Sequence, residues 1–229
     1  MKFSSFAFAR HTRILLTASA VSLAACSNSQ AATLPVAAPN TDATLAATPG
    51  KASIVLSGGC FWGVEAVYRH VNGVISATSG YAGGSAANAR YDKVSDGDTG
   101  HAESVQVVYD PAKISLGQLL RVFFSVAHDP TQLNRQGPDT GTQYRSAIWF
   151  SDPDQQRIAA AYIQQLNAAK TFRTPIVTQL SPLTKFYAAE DYHQDYMRLH
   201  PYEPYIVIHD RPKVANLKEQ FPKLYVDSR

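Results

Sequence analysis

The sequence predicts an α+β domain, with a mixed and mostly antiparallel sheet covered by helices. Three observations carry this reading. Short apolar or β-branched runs, Ile54–Leu56, Val74–Ser79, Ala147–Phe150 and Ile176–Leu180, have the length of strands. His101–Pro111 alternates with a period of two, as a strand with one buried face does. Between these runs, apolar residues recur at helical spacing over 61–71, 115–124 and 152–169. Strand, helix, paired strands, helix, strand and helix again is an order that gathers helices onto the sheet.

The first strand, Ile54-Val55-Leu56, runs into Ser57-Gly58-Gly59-Cys60-Phe61-Trp62-Gly63. Val64, Val67, Tyr68 and Val71 then mark one face of a helix. Cys60 therefore sits at a strand-to-helix junction, where unpaired amides and the helix dipole favour an anion and lower a thiol pKa. The competing reading is that a lone cysteine is packing. The second strand opens into Gly80-Tyr81-Ala82-Gly83-Gly84, where glycine permits conformations closed to other residues. In the alternating strand Glu103 shares its parity with Val105, Val107 and Tyr109. If that face is buried, desolvation raises the carboxyl pKa and lets it hold a proton near neutrality. If Glu103 lies at the strand rim, it is exposed or paired with a cation.

Ser115 is placed to cap the next helix, and His128-Asp129-Pro130 ends it. After the long helix and the strand at 176–180, Tyr192 and Tyr196 stand one helical turn apart with His193 beside them. The tail carries apolar Ile206-Val207-Ile208 and a basic, proline-containing end. The sum is a two-layer sandwich of ferredoxin-like type.

The protein has 229 residues, 45% of them hydrophobic, enough for one good core and a tail. Its net charge of +3 comes from Lys2, Arg10 and Arg13, because 21 − 3 leaves 18 basic residues against 18 acidic ones. A near-neutral body argues against a nucleic-acid partner. The scattered histidines show no metal-ligand spacing.

Residues 1–26 read as an export signal, with basic residues before the apolar stretch Ile14–Leu23. Leu23-Ala24-Ala25-Cys26 resembles the bacterial lipobox, in which the cysteine is lipidated and becomes the mature N-terminus. Ordinary cleavage nearby, giving a soluble periplasmic protein, is the alternative. The position of Cys26 favours a membrane lipid anchor, and Ser27 after it, by resemblance to Gram-negative lipoproteins, points to the outer membrane. Residues 27–51, rich in Ala, Thr, Pro and Asn, read as a flexible linker to a domain spanning 52–229. With Cys26 lipidated, Cys60 is the one thiol of the mature protein, which is unusual for an exported protein and favours use.

Five motifs in order, GCFWG, SGYAGG, GHAESVQVVYDP, GTQYRSAI and AEDYHQDY, resemble the peptide methionine sulfoxide reductase A family across about residues 52–215. The resemblance implies reduction of the S epimer of methionine sulfoxide in oxidised proteins or peptides. It implies Cys60 as nucleophile, Glu103 as proton donor, and Tyr91 and Tyr144 as hydrogen-bond partners of the sulfoxide oxygen. Phe61 and Trp62 are implied as walls of the methyl pocket, with Asp139, His193 and Tyr196 lining the same site. No bound cofactor is implied, and the protein is expected as a monomer. Many members carry recycling cysteines in the C-terminal tail, but none lies between His200 and Arg229. The sequence is thus similar to single-cysteine members, which an external thiol must regenerate, whether thioredoxin-like, glutaredoxin-like or a small thiol. Two other readings compete: a papain-like peptidase pairing Cys60 with His101 or His193, and a lipid-anchored scaffold with a vestigial site.

Overall fold

The structure, a computed structural model, describes residue 1 and residues 35–227. The export signal, Cys26 and the linker as far as residue 34 lie outside the described residues. In sequence order the domain runs β1 (Ala52–Gly58), α1 (Phe61–Arg69), β2 (Val74–Ala82), α2 (Tyr91–Val94), β3 (Ala102–Tyr109) and α3 (Leu116–Val122). It continues with the short hairpin β4 (Arg135–Gln136) and β5 (Asp139–Thr140), then β6 (Ser146–Phe150), α4 (Pro153–Ala168), β7 (Gln179–Pro182), β8 (Phe186–Ala188), α5 (Tyr196–Leu199) and α6 (Arg211–Gln220). One sheet has the order β7-β6-β1-β3-β2-β8, with β7 alone parallel to its neighbour. Its central β6-β1-β3-β2 block is the ferredoxin-like arrangement.

The inner face of the sheet follows the parity expected of it. Ile54 and Leu56 of β1, Val105 and Val107 of β3 and Ile148 of β6 are sealed from solvent. They pack with Val64, Val67, Tyr68 and Val71 from the α1 segment, Leu119 and Leu120 from α3, and Ile158, Tyr162 and Leu166 from α4. The outer face is thinner, a small cluster of Val55, Ala82, Ala102, Ala147 and Trp149 roofed by Leu183 and Phe186. Ser115 caps α3 through a reciprocal box: its hydroxyl accepts from the Gln118 amide at 3.2 Å, and the Gln118 side-chain carbonyl accepts from the Ser115 amide at 3.0 Å. Asp152 caps α4 in the same sense, with Pro153 in its first turn.

Four stretches differ from the sequence expectation. The strand expected at 176–180 begins at Gln179 and pairs along β6 to Pro182. Tyr192 and Tyr196 do not share a helix: β8 adds an edge to β2, a single turn spans Asp191–His193, and Asp195 sits in the left-handed region with φ 54° before Tyr196 opens α5. The tail folds back as a turn over Ile206–Asp210 and then α6, which packs on α1. Finally, residues 35–51 are laid onto the domain rather than left as a flexible tether. The Val36 amide donates to Ser125 Oγ at 3.1 Å, and the Val36 carbonyl accepts from Arg121 Nε at 2.8 Å. The Tyr162 hydroxyl donates to the Ala37 carbonyl at 2.6 Å, while Asp42 accepts from the Ser115 hydroxyl and the Gly117 amide. A strap held by its main chain and one carboxylate needs no hydrophobic periodicity.

Candidate active site

β1 ends at Gly58, and the backbone must turn sharply to start α1. Gly59 supplies the turn at φ 89°, and a Cβ there would stand 2.5 Å from the Gln136 side chain of β4. Cys60 follows as the N-cap of α1 and is 8% exposed. The first-turn amides are divided between two acceptors: Phe61 N–H donates to Glu103 Oε2 at 3.0 Å, and Trp62 N–H donates to the cysteine sulfur. Glu103, on the inner face of β3, is 3% exposed. The register of β1 against β3, with Leu56 opposite Val105, brings the carboxylate to the start of α1.

Burial raises the Glu103 pKa to about 8, with Asp139 and Asp210 adding to the rise and the Phe61 amide opposing it. At neutral pH this carboxyl therefore holds a proton. The open choice between a buried and a rim glutamate resolves to the buried one.

The thiol does not follow the helix-start expectation. Burial pushes the Cys60 pKa up, and the charges of Glu103 and Asp210 push it further; the Trp62 amide and Lys213 pull it down without prevailing. A helix N-terminus lowers a thiol pKa only while water or a cation shares the load. Here two carboxyls face the sulfur, and the sulfur rests as a thiol.

Aromatic side chains build one wall of the site. Trp62 stacks on Tyr196 at 3.8 Å between ring centroids and 6° between planes, and meets Tyr205 edge-on at 6.0 Å. Trp62 Nε1–H donates to His193 Nδ1 at 3.2 Å. His193 is 2% exposed and ringed by Phe61, Tyr91 and Tyr192. Burial lowers its pKa, so the ring is neutral, accepts at Nδ1 and carries its proton on Nε2. That is a structural hydrogen-bonding role, in which His193 serves the tryptophan. His101 is also committed elsewhere, to the Gly84 amide and the Ser85 carbonyl.

Tyr91 and Tyr144 are half-buried, and both hydroxyls feel the charges of Glu103 and Cys60, which with burial raise their pKa values. Both stay protonated and can donate. Asp139, from β5, acts on Glu103 and Tyr144 and accepts a short hydrogen bond from the Tyr205 hydroxyl. Glu103, Tyr91, Tyr144 and Asp139 are thus coupled to one another around Cys60, while His193 and Tyr196 reach it through Trp62.

The structure adds members that sequence reasoning does not name. Tyr205 closes the wall behind Trp62. Glu190 fixes the floor by accepting from the Tyr81 hydroxyl at 2.9 Å and the Tyr91 amide at 2.9 Å. Asp210 is fully buried over the first turn of α1, paired with Lys213 at 3.0 Å, and a Cβ at Gly63 would meet its Oδ1 at 2.1 Å. The one hint in the sequence is Gly63 itself, a glycine inside a helix. Among the described residues no group of three His, Cys, Asp or Glu side chains could hold a metal ion.

A buried proton-holding carboxyl, a thiol and two phenols beside an aromatic wall suit the transfer of an oxygen from a polar sulfur. Comparison with known proteins agrees. Residues 52–225 match the family model described as peptide methionine sulfoxide reductase. The protein is 56% identical over 179 residues to peptide methionine sulfoxide reductase MsrA 2 of Mesorhizobium japonicum, covering 78% of this protein and 92% of the relative. It is 50% identical to the protein of the same name from Synechocystis, over 75% of this protein and 80% of that one. Among solved structures, reduced Mxr1 of Saccharomyces cerevisiae aligns with TM-score 0.62 at 34% identity, covering 70% of this protein and 94% of that one. Methionine sulfoxide reductase A of Corynebacterium diphtheriae aligns with TM-score 0.58 at 39% identity, covering 75% and 87%. With these matches spanning the folded domain and its site, the protein belongs to the peptide methionine sulfoxide reductase A family of enzymes.

Proposed function

We propose that this enzyme reduces the S epimer of methionine sulfoxide in polypeptides, with Cys60 as nucleophile and Glu103 as proton donor. The observation that carries the mechanism is the division of the α1 amides, which holds the carboxyl and the sulfur on adjacent residues of one helical turn. The sulfoxide oxygen accepts from the Tyr91 and Tyr144 hydroxyls while Phe61 and Trp62 enclose the methyl group. Cys60 attacks the sulfoxide sulfur as Glu103 passes its proton to the oxygen, and the thiol proton refills the emptied carboxylate. The hydroxyl then passes from the substrate sulfur to Cys60 as the transient sulfur–sulfur bond and the substrate's sulfur–oxygen bond break, leaving a sulfenic acid and methionine, a two-electron exchange with no net proton gained or lost. Asp139 and Tyr205 hold the far side of the site, and the Trp62–His193–Tyr196 group fixes the wall.

Regeneration falls to an external thiol, because no cysteine other than Cys60 lies beyond residue 26. One thiol condenses with the sulfenic acid, releasing water and leaving a mixed disulfide; a second thiol resolves it and restores Cys60. A thioredoxin-like or glutaredoxin-like protein, or a small thiol, can supply both. The basic, apolar and Leu-Ala-Ala-Cys pattern of residues 1–26 supports export, lipidation at Cys26 and action at the outer membrane on oxidised exported proteins. In this reading the enzyme works there as a monomer.

The test is turnover of separate S and R epimers of a peptide methionine sulfoxide with dithiothreitol. Methionine should form from the S epimer alone and not at all with Cys60→Ser. A sulfenic-acid probe should label Cys60 when substrate is given without thiol. Folded protein that turns over neither epimer would sink the proposal.

A further inference from the structure

A pocket of about 260 Å³ is lined by Trp62 and Tyr196 of the aromatic wall and extends from them along α1 past Glu65 and Arg69. Neither Cys60 nor Glu103 lines it. Three guanidiniums do, from Arg69, Arg198 and Arg211, against two carboxylates, Glu65 and Asp195.

Both carboxylates are already spent within the protein. Glu65 accepts from the Ser79 hydroxyl at 2.7 Å, the Asp195 amide at 2.9 Å and Arg69 at 3.4 Å. Asp195 takes Arg69 on one oxygen, at 3.2 Å, and Arg198 on the other. All four carboxylate oxygens are occupied, and these contacts also hold the left-handed Asp195 that launches Tyr196 onto Trp62. Arg211, which opens α6 and is exposed, makes no ion pair or hydrogen bond among the described residues. The pocket is left with one positive charge in excess and a guanidinium with nothing to bind.

We infer that this pocket is a subsite for a carboxylate of the substrate polypeptide, bound by Arg211 while the methionine sulfoxide occupies the cysteine site. The inference rests on the reductase reading of that site and adds a preference to it. A guanidinium offers a planar fork that a carboxylate matches with two hydrogen bonds. The pocket and the cysteine site share the stacked pair Trp62 and Tyr196, and an extended polypeptide advances about 3.5 Å per residue, so an acid close in sequence to the sulfoxide is the one in reach. The carboxylate comes either from an acidic side chain or from the substrate's own C-terminus. Because Arg211 is exposed, its pairing is screened and the preference is several-fold, not absolute.

The experiment uses the full-length protein and N-acetylated, C-amidated peptides with one S-epimer methionine sulfoxide. Asp, Asn or Lys is placed in turn at each of the three positions on either side, and one peptide ends in a free carboxylate. N-acetyl-methionine-sulfoxide amide is the uncharged reference. At low salt, kcat/KM should favour Asp over Lys about fivefold at one position, with Asn between; a C-terminal source shows instead as free acid over amide. The ratio should approach one in high salt and also in Arg211→Gln, where each ratio is taken within the variant. Equal kcat/KM for all charges, or a preference that survives both salt and Arg211→Gln, would overturn the subsite alone. An unturned reference would overturn the reductase reading and the subsite with it.

Discussion

Glu103→Gln should stabilise the protein at alkaline pH while removing the proposed proton donor. A carboxyl whose pKa is about 8 when folded, against 4.5 unfolded, binds more protons in the folded state throughout that interval. Its stabilising contribution is therefore complete below 4.5 and is lost as pH climbs through 8. At ~1.4 kcal/mol per pH unit over ~3.5 units, the loss approaches ~5 kcal/mol. Glutamine keeps a carbonyl to accept from Phe61 N–H and has no proton to lose. Urea unfolding at a series of pH values should give curves for the two proteins that diverge from about pH 5 upward. By pH 8 the variant should be ahead by several kcal/mol, or roughly 10–15 °C in Tm. Titrating groups not coupled to Glu103, such as buried His128 with its pKa lowered to about 4, are common to both proteins and cancel in the difference. Reductase turnover should fall in the wild type as pH passes 8 and be largely lost in the variant at every pH. A stability difference that is flat from pH 5 to 8.5 would refute the buried, proton-holding carboxyl.

Gly63→Ala should destabilise by roughly 3 kcal/mol in denaturant, because the new methyl group collides with Asp210 in a buried ion pair that cannot retreat. Tyr196→Ala should raise KM for a peptide substrate about two- to tenfold with a smaller change in kcat, since it removes the stack that holds Trp62 upright but touches neither sulfur nor carboxyl. A protein begun at Ala52 should unfold at lower urea than one begun at Pro35, by about 2–4 kcal/mol, as the strap's hydrogen bonds to Ser125, Arg121, Tyr162 and the α3 cap are lost.

What is legible in the sequence is what has a period or a motif. The alternation of β3 places Glu103 on the inner face, and the apolar stripe of α1 places Cys60 at its start, because one-sided burial writes itself into residue order. The thiol's ionisation is not legible, since it depends on Glu103 and Asp210, 43 and 150 positions further along, and on how little water reaches them. Tyr205 and Asp210 sit in a tail with no clear helical stripe, where α6 is held by packing on α1 rather than by its own pattern. The strap at 35–51 reads as a tether because its anchors are main-chain groups and the single carboxylate of Asp42, and composition says nothing about where a carbonyl finds its donor. β8 escapes notice for a related reason: a three-residue edge strand is too short for any period to show.

The protonated state of Cys60 bears on how long the enzyme survives its own working conditions. Oxidants that convert methionine to its sulfoxide also consume thiolates, and the ionised fraction of a cysteine governs how fast it is lost. A sulfur that keeps its proton beside a second proton-bearing group is a slow target for peroxide. In the mechanism proposed above it becomes a strong nucleophile where a bound sulfoxide draws the carboxyl's proton away and vacates a base for its own. On that proposal the catalyst is armed by its substrate, and overoxidation is held off during the intervals when there is nothing to repair.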